Sequence, residues 1–200
     1  MDASPPFHDA VAVWAFATGV MTHVLLVAGL KNPTVRLRHI AVRELLAEYS
    51  LEDFYETLLQ PLGCAQLSCA AIARHLPALS DAFDAASVAL TTPVFFAGDI
   101  SAHARHVAID GSKELIERGD HREAVFWMIA TYARCQKVLA ADAPASDHAR
   151  HDAGFRDLLG DLGIASLHDL EDRVAEVRAL LPRVSEVAAI IIEANPEIDR

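Results

Sequence analysis

Apolar and polar positions alternate at helical spacing almost throughout this chain. The strongest block is 119–144, GDHREAVFWMIATYARCQKVLAADAP. Asp120 is placed to cap it, with Glu123 three residues on completing a capping box. Gly119 closes what precedes, and Ala143-Pro144 stops the run. Ala124 to Ala130 are apolar in unbroken succession. A helix that is apolar all round must be surrounded by others. The pattern therefore predicts a buried central helix near 121–142 as the post of a bundle.

The remaining blocks follow the same period. Pro5-Pro6 opens a helix to about Leu30, and Asn32-Pro33 starts a second, TVRLRHIAVRELLAEY. Ser50 with Asp53 starts a third, ended by Pro61 and Gly63. Ser68 begins a fourth, ended by Pro77, and Ser80 begins a fifth. Ser101 caps AHARHVAIDGSKELIER, with a break at Asp110-Gly111-Ser112. His148 to Leu162 is amphipathic and stops at Gly163. Ser166 with Asp169 forms a capping box for a helix to Leu181, and Pro182 restarts a last one. Residues 91–98, TTPVFFAG, do not read as helix. They form either a buried extended connection or a lid over a pocket. About nine helices with short connections and no hairpin signal define an all-α, multi-helix bundle. Length suits one helical domain over 1–200, with APASD (143–147) as an internal linker.

Composition changes this picture in two places. The chain is 52% hydrophobic with a mean hydropathy of +0.23, enough to cover part of its surface with a second copy, so a homo-oligomer is expected. The net charge of −11 disfavours nucleic-acid binding. Three cysteines without a CxxC fit free thiols in the cytoplasm. Residues 10–30 carry no formal charge and are followed by Lys31, Arg36 and Arg38, as a membrane helix would be. Five alanines and His23 weigh for a buried helix of a soluble protein instead, so no membrane association is expected.

The candidate chemistry is sparse. Ten histidines include the i,i+3 pairs His103/His106 and His148/His151. HExxH is absent, and so is the paired ExxH of di-iron bundles. Three His-Asp dipeptides leave a metal-dependent hydrolase as a third reading, but capping and surface roles account for these histidines and no metal site is assigned. No P-loop, GxGxxG or GxSxG is present, and no cofactor is implied. Glu123, Trp127, Ala130, Arg134 and Lys137 lie on one face of the 121–142 helix. That face is either a solvated edge or one wall of a ligand cleft, with Trp127 stacking and Arg134 holding an anion. Lys31, Arg36, Arg38, His39 and Arg43 form a basic group. With the free N–H groups after Asn32-Pro33 they could receive a phosphate or carboxylate, or they pair with nearby acids.

KELIERGDHREAVFWMIATYARCQKVL (113–139) resembles the helical C-terminal domain that follows the catalytic domain in some bacterial nucleotidyltransferases, including the aminoglycoside-modifying type. The resemblance covers about 30 residues. It implies a bundle that lines an acceptor-substrate site. The family's Gly-Ser followed by a paired Asp-x-Asp is missing, which implies that any catalytic half would be a partner subunit. The leading expectation is thus a small-molecule-binding bundle with His121, Arg122, Trp127, Tyr132 and Arg134 as ligand contacts and Arg36 and Arg43 as anion contacts. The competing class is an interaction or oligomerisation module with no ligand.

Overall fold

A computed structural model describes residues 5–198. Among these residues the chain is all-helical, and no strand is present. Eight helices of seven or more residues are α1 (Phe7–Ala28), α2 (Arg38–Glu48), α3 (Asp53–Leu59), α5 (Leu76–Ala89), α6 (Gly111–Glu117), α7 (His121–Asp142), α8 (Ala145–Asp161) and α9 (Leu167–Ala194). α4 (Cys69–Ala73) is a single short turn of helix. 3₁₀ turns at Val35–Leu37, Ala97–Ile100 and Ala102–Ala104 and a π-helical turn at His106–Asp110 fill the connections.

Side-chain chemistry sets several of these ends. Ser166 Oγ accepts from the Asp169 backbone N–H, and the Asp169 carboxylate accepts from the Ser166 N–H, so the capping box that opens α9 is complete. Ser68 Oγ caps α4 through the Ala71 N–H. Gly119 takes φ +94° to end α6, and Ala143 is extended before Pro144 to end α7. Gly63 has φ +79°, and a Cβ there would stand 2.3 Å from the Leu162 carbonyl oxygen. Only glycine lets the turn after α3 pass that close to the end of α8.

Other ends differ from the pattern. Asn32-Pro33 starts no helix: Thr34 is extended, Val35–Leu37 is 3₁₀, and α2 opens at Arg38. Ser50 does not cap either, because it sits at φ +58° in the connection to α3. Pro77 lies in the first turn of α5, where its missing N–H costs nothing, and Ser80 is inside that helix. Ser101 Oγ turns back to the Gly98 carbonyl rather than capping. Asp110-Gly111-Ser112 is no break, since the π-helical turn runs straight into α6. Asp120 and Glu123 form no capping box, because arginines claim both carboxylates. α8 already begins at Ala145, which leaves Ala143 and Pro144 to join it to α7. Pro182 interrupts nothing: α9 runs through it. It is exposed, so water can satisfy the carbonyl that it leaves without a donor.

α7 packs against α1, α4, α5, α6 and α8. Its buried residues include Phe126, Trp127, Met128, Tyr132 and Leu139. α1 packs on α9, α7 and α2, and the buried Trp14 indole donates to the Pro61 carbonyl at 3.2 Å, tying α1 to the turn after α3. α1 is also the one helix among the described residues long and apolar enough to cross a membrane, and half of that stretch is buried in the protein.

His39 of α2 is buried against the Phe126 ring, with neither ring nitrogen hydrogen-bonded. Burial pushes its pKa down to about 4. The folded chain keeps this ring neutral while an unfolded histidine takes a proton near pH 6.5. Stability should therefore fall by about 3 kcal/mol as pH drops from 6.5 to 4. His8 and His151, also lowered by burial, act in the same direction. Urea unfolding across this range should show the slope, and His39→Leu should remove one proton's worth of it.

Candidate functional site

The polar face of α7 is not a solvated edge. Glu123 is 2% exposed, and Trp127 and Ala130 are buried. Each charge on this face is met by a different element. Arg43 of α2 donates to Glu123 at 2.6 Å and to Asp120 at 2.8 Å. Tyr55 of α3 donates to the same Glu123 oxygen at 3.0 Å. Burial and the neighbouring Glu123 charge push the Tyr55 phenol well above its usual range. Burial works against the ionised Asp120, but hydrogen bonds from Arg43 and Arg118 outweigh it and hold its pKa low. About two turns beyond Trp127, Arg134 pairs with Asp99 at 2.9 Å. Its guanidinium sits 5.5–5.6 Å from the rings of Phe16, Phe96 and Trp127. Burial lowers the Arg134 pKa, with Asp99 opposing. Lys137 pairs with Asp9 of α1 at 2.7 Å.

Between the Glu123 and Lys137 ends lies a cavity of about 360 Å³, lined by Thr34, Val35, Arg36, Asp99, Trp127 and Arg134, with Val107 at its side. Trp127 lines it, and the indole N–H of that residue is buried without a hydrogen-bond partner. Arg36 donates one N–H to the Gly111 carbonyl at 3.2 Å, which fixes the guanidinium at the wall. Two guanidiniums and one carboxylate leave one net positive charge. Larger hollows of about 470–540 Å³ run along α1. Two of them bring no buried polar group without a partner. The third shares Arg134 with the Trp127 cavity and likewise brings no buried polar group without a partner. The smaller cavity is therefore the one with the features of a ligand site: an apolar surface and a few convergent polar groups.

Of the seven residues singled out in the sequence, Arg36, Trp127 and Arg134 meet here. The other four do not. Both His121 ring nitrogens face backbone carbonyls, of Gly119 and Leu67. Arg122 is held by Glu56 and the Ala65 carbonyl. Arg43 is spent on Glu123 and Asp120. Tyr132 is fully buried beside Phe155 and donates to the His151 carbonyl at 3.4 Å. It lines a separate hollow with Asp81, Asp84 and Arg150. The basic group around 31–43 is likewise dispersed, Lys31 pairing with Glu48, and no helix begins behind Asn32-Pro33 to lend its N–H groups. Asp99, which the pattern did not mark, is the added member of the site.

Among the described residues no three His, Cys, Asp or Glu converge to hold a metal, so the hydrolase reading has no ligand set there. Cys64 and Cys135 are buried and Cys69 is exposed; all three are free thiols. Burial pushes Cys64 up to about 12 and Cys135 further, which makes both poor nucleophiles. No protein-family model, no curated protein and no solved structure matches this chain. What the fold defines is an all-helical bundle with a small, positively charged cavity at Trp127.

The Glu123 pair should be sensitive to removal of one partner. Arg43→Met leaves the buried carboxylate with Tyr55 alone and should cost about 2–3 kcal/mol, toward the low side for a buried pair because Arg43 is itself part-exposed. Arg43→Met with Glu123→Leu should cost less than Arg43→Met alone. Urea denaturation of the three variants checks the order.

Proposed function

We propose that this chain binds a small organic anion in the Trp127 cavity. A carboxylate or phosphate sits between Arg36 and Arg134, and the flat body of the ligand lies on the Trp127 ring. In this reading α7 is the post around which both the bundle and the site are organised. The observation that carries it is a cavity lined by two arginines and by Trp127, whose buried indole N–H has no partner. A buried donor without an acceptor costs on the order of 1–3 kcal/mol, and a bound anion would recover that loss. The anion would compete with Asp99 for Arg134, so binding and the position of the 97–100 turn are coupled.

The resemblance of 113–139 to nucleotidyltransferase acceptor domains supports a binding role on α7, with any transfer chemistry left to a partner subunit. The charge of the cavity narrows the acceptor. Two guanidiniums repel a polyamine such as an aminoglycoside, so a hydroxylated or aromatic acid is the better fit.

A thermal-shift and calorimetry screen of carboxylates, phosphate monoesters and aminoglycosides tests this. At least one anion should raise the melting temperature, and aminoglycosides should not. Arg36→Ala should weaken that anion by ~10-fold or more, the worth of one charge-assisted hydrogen bond, while the unliganded melting point falls by only a few degrees, the cost of the lost Gly111 hydrogen bond. Trp127→Phe should weaken it as well. Stabilisation by no anion, or binding indifferent to Arg36, would contradict the proposal.

A further inference from the structure

A second surface, independent of the cavity, lies on α1. The helix buries Val11, Trp14, Ala15, Met21, Leu25 and Leu26 on one side and leaves the other uncovered. Val13 is 68% exposed, Val20 53% and Val27 56%, with Phe16 and Val24 partly open between them. Their spacing of three or four residues puts them on one line along the helix, about 21 Å from Val13 to Val27. No charged side chain occurs from Ala10 to Leu30. Phe95 stands beside the Val13–Phe16 end, 97% exposed. At the Val24–Val27 end a hollow of about 540 Å³ opens toward Ala188 and Ile192 of α9.

This face is symmetric about Val20. Val13 and Val27 each lie seven residues from it, and Phe16 and Val24 four. Asp9, before the Val13 end, is paired with Lys137, and Lys31, beyond the end of α1, is paired with Glu48. We infer that this face of α1 pairs with α1 of a second copy of the chain, antiparallel, about a two-fold axis at Val20. That arrangement sets Val13 against Val27 of the partner subunit and Phe16 against Val24 of the partner subunit. A parallel pairing would set Asp9 on Asp9 instead.

Two further points favour a second copy as the occupant. The chain carries a net charge of −11, but this face carries none of it, so two copies that meet here bring no like charges together at the contact. The open residues of α1 with Phe95 and Ile192 leave on the order of 800 Å² per copy, the area that each partner buries in a standard stable interface. The contact also closes on itself, as an isologous interface must.

Sedimentation velocity of the full chain tests this. The expected species has twice the 21.7 kDa mass of one chain. Val20→Arg and Val20→Glu, at an exposed position, should each keep helical circular dichroism and weaken the dimer by at least ~100-fold, because residue 20 meets itself. Mixing the two variants should restore a dimer, since Arg then faces Glu. A monomeric native chain at the highest attainable concentration would overturn the proposal. So would a Val20→Arg dimer of native strength, or folded variants that do not reassociate when mixed. A monomer that floats with phosphatidylcholine–phosphatidylglycerol vesicles would assign the face to a membrane surface instead.

Discussion

A charged group on a helix face that other elements cover must be answered by a partner, and α7 carries several. Glu123, Arg134 and Lys137 lie on one of its faces, and α1, α2 and the 95–100 segment cover that face. Leaving any of these groups desolvated and alone would cost more than most single contacts contribute. Arg43, Asp99 and Asp9 supply the answers, one from each covering element. These three pairs fix how α2, the 97–100 turn and α1 sit on α7. The cavity lies between them at Trp127, whose buried indole N–H has no such partner.

Much of the helical plan was legible in the sequence because it rests on local chemistry. Ser166 with Asp169, Ser68, Gly119 and Ala143-Pro144 act within a few residues of themselves and behave as their types require. The misreadings have a common cause. Asp120 and Glu123 look like a capping box, yet arginines distant in sequence or in the preceding turn take both carboxylates. Pro77 and Pro182 look like a stop and a restart. A proline in a first turn, or on an exposed face of a long helix, does neither, and the sequence does not show which turn faces water.

The site divides in the same way. Arg36, Trp127 and Arg134 were marked by helical spacing and charge, and spacing survives folding. Tyr132 is five residues from Trp127, so it points to the opposite side of α7 and lines a different hollow. His121 and Arg122 sit at the right end of the helix, but backbone carbonyls and Glu56 consume them. Asp99 lies in a segment without regular pattern, and nothing in its neighbourhood announces that it meets Arg134.

The indole N–H of Trp127 reports most directly on the whole account, and nitrogen-15 NMR of the two tryptophan side chains reads it. The Trp127 signal should exchange slowly with solvent and move when a stabilising anion is titrated. The Trp14 signal, already bonded to the Pro61 carbonyl, should stay in place. A Trp127 N–H that exchanges as in free tryptophan, or stays fixed while Trp14 moves, would contradict both the covered face of α7 and the site placed on it.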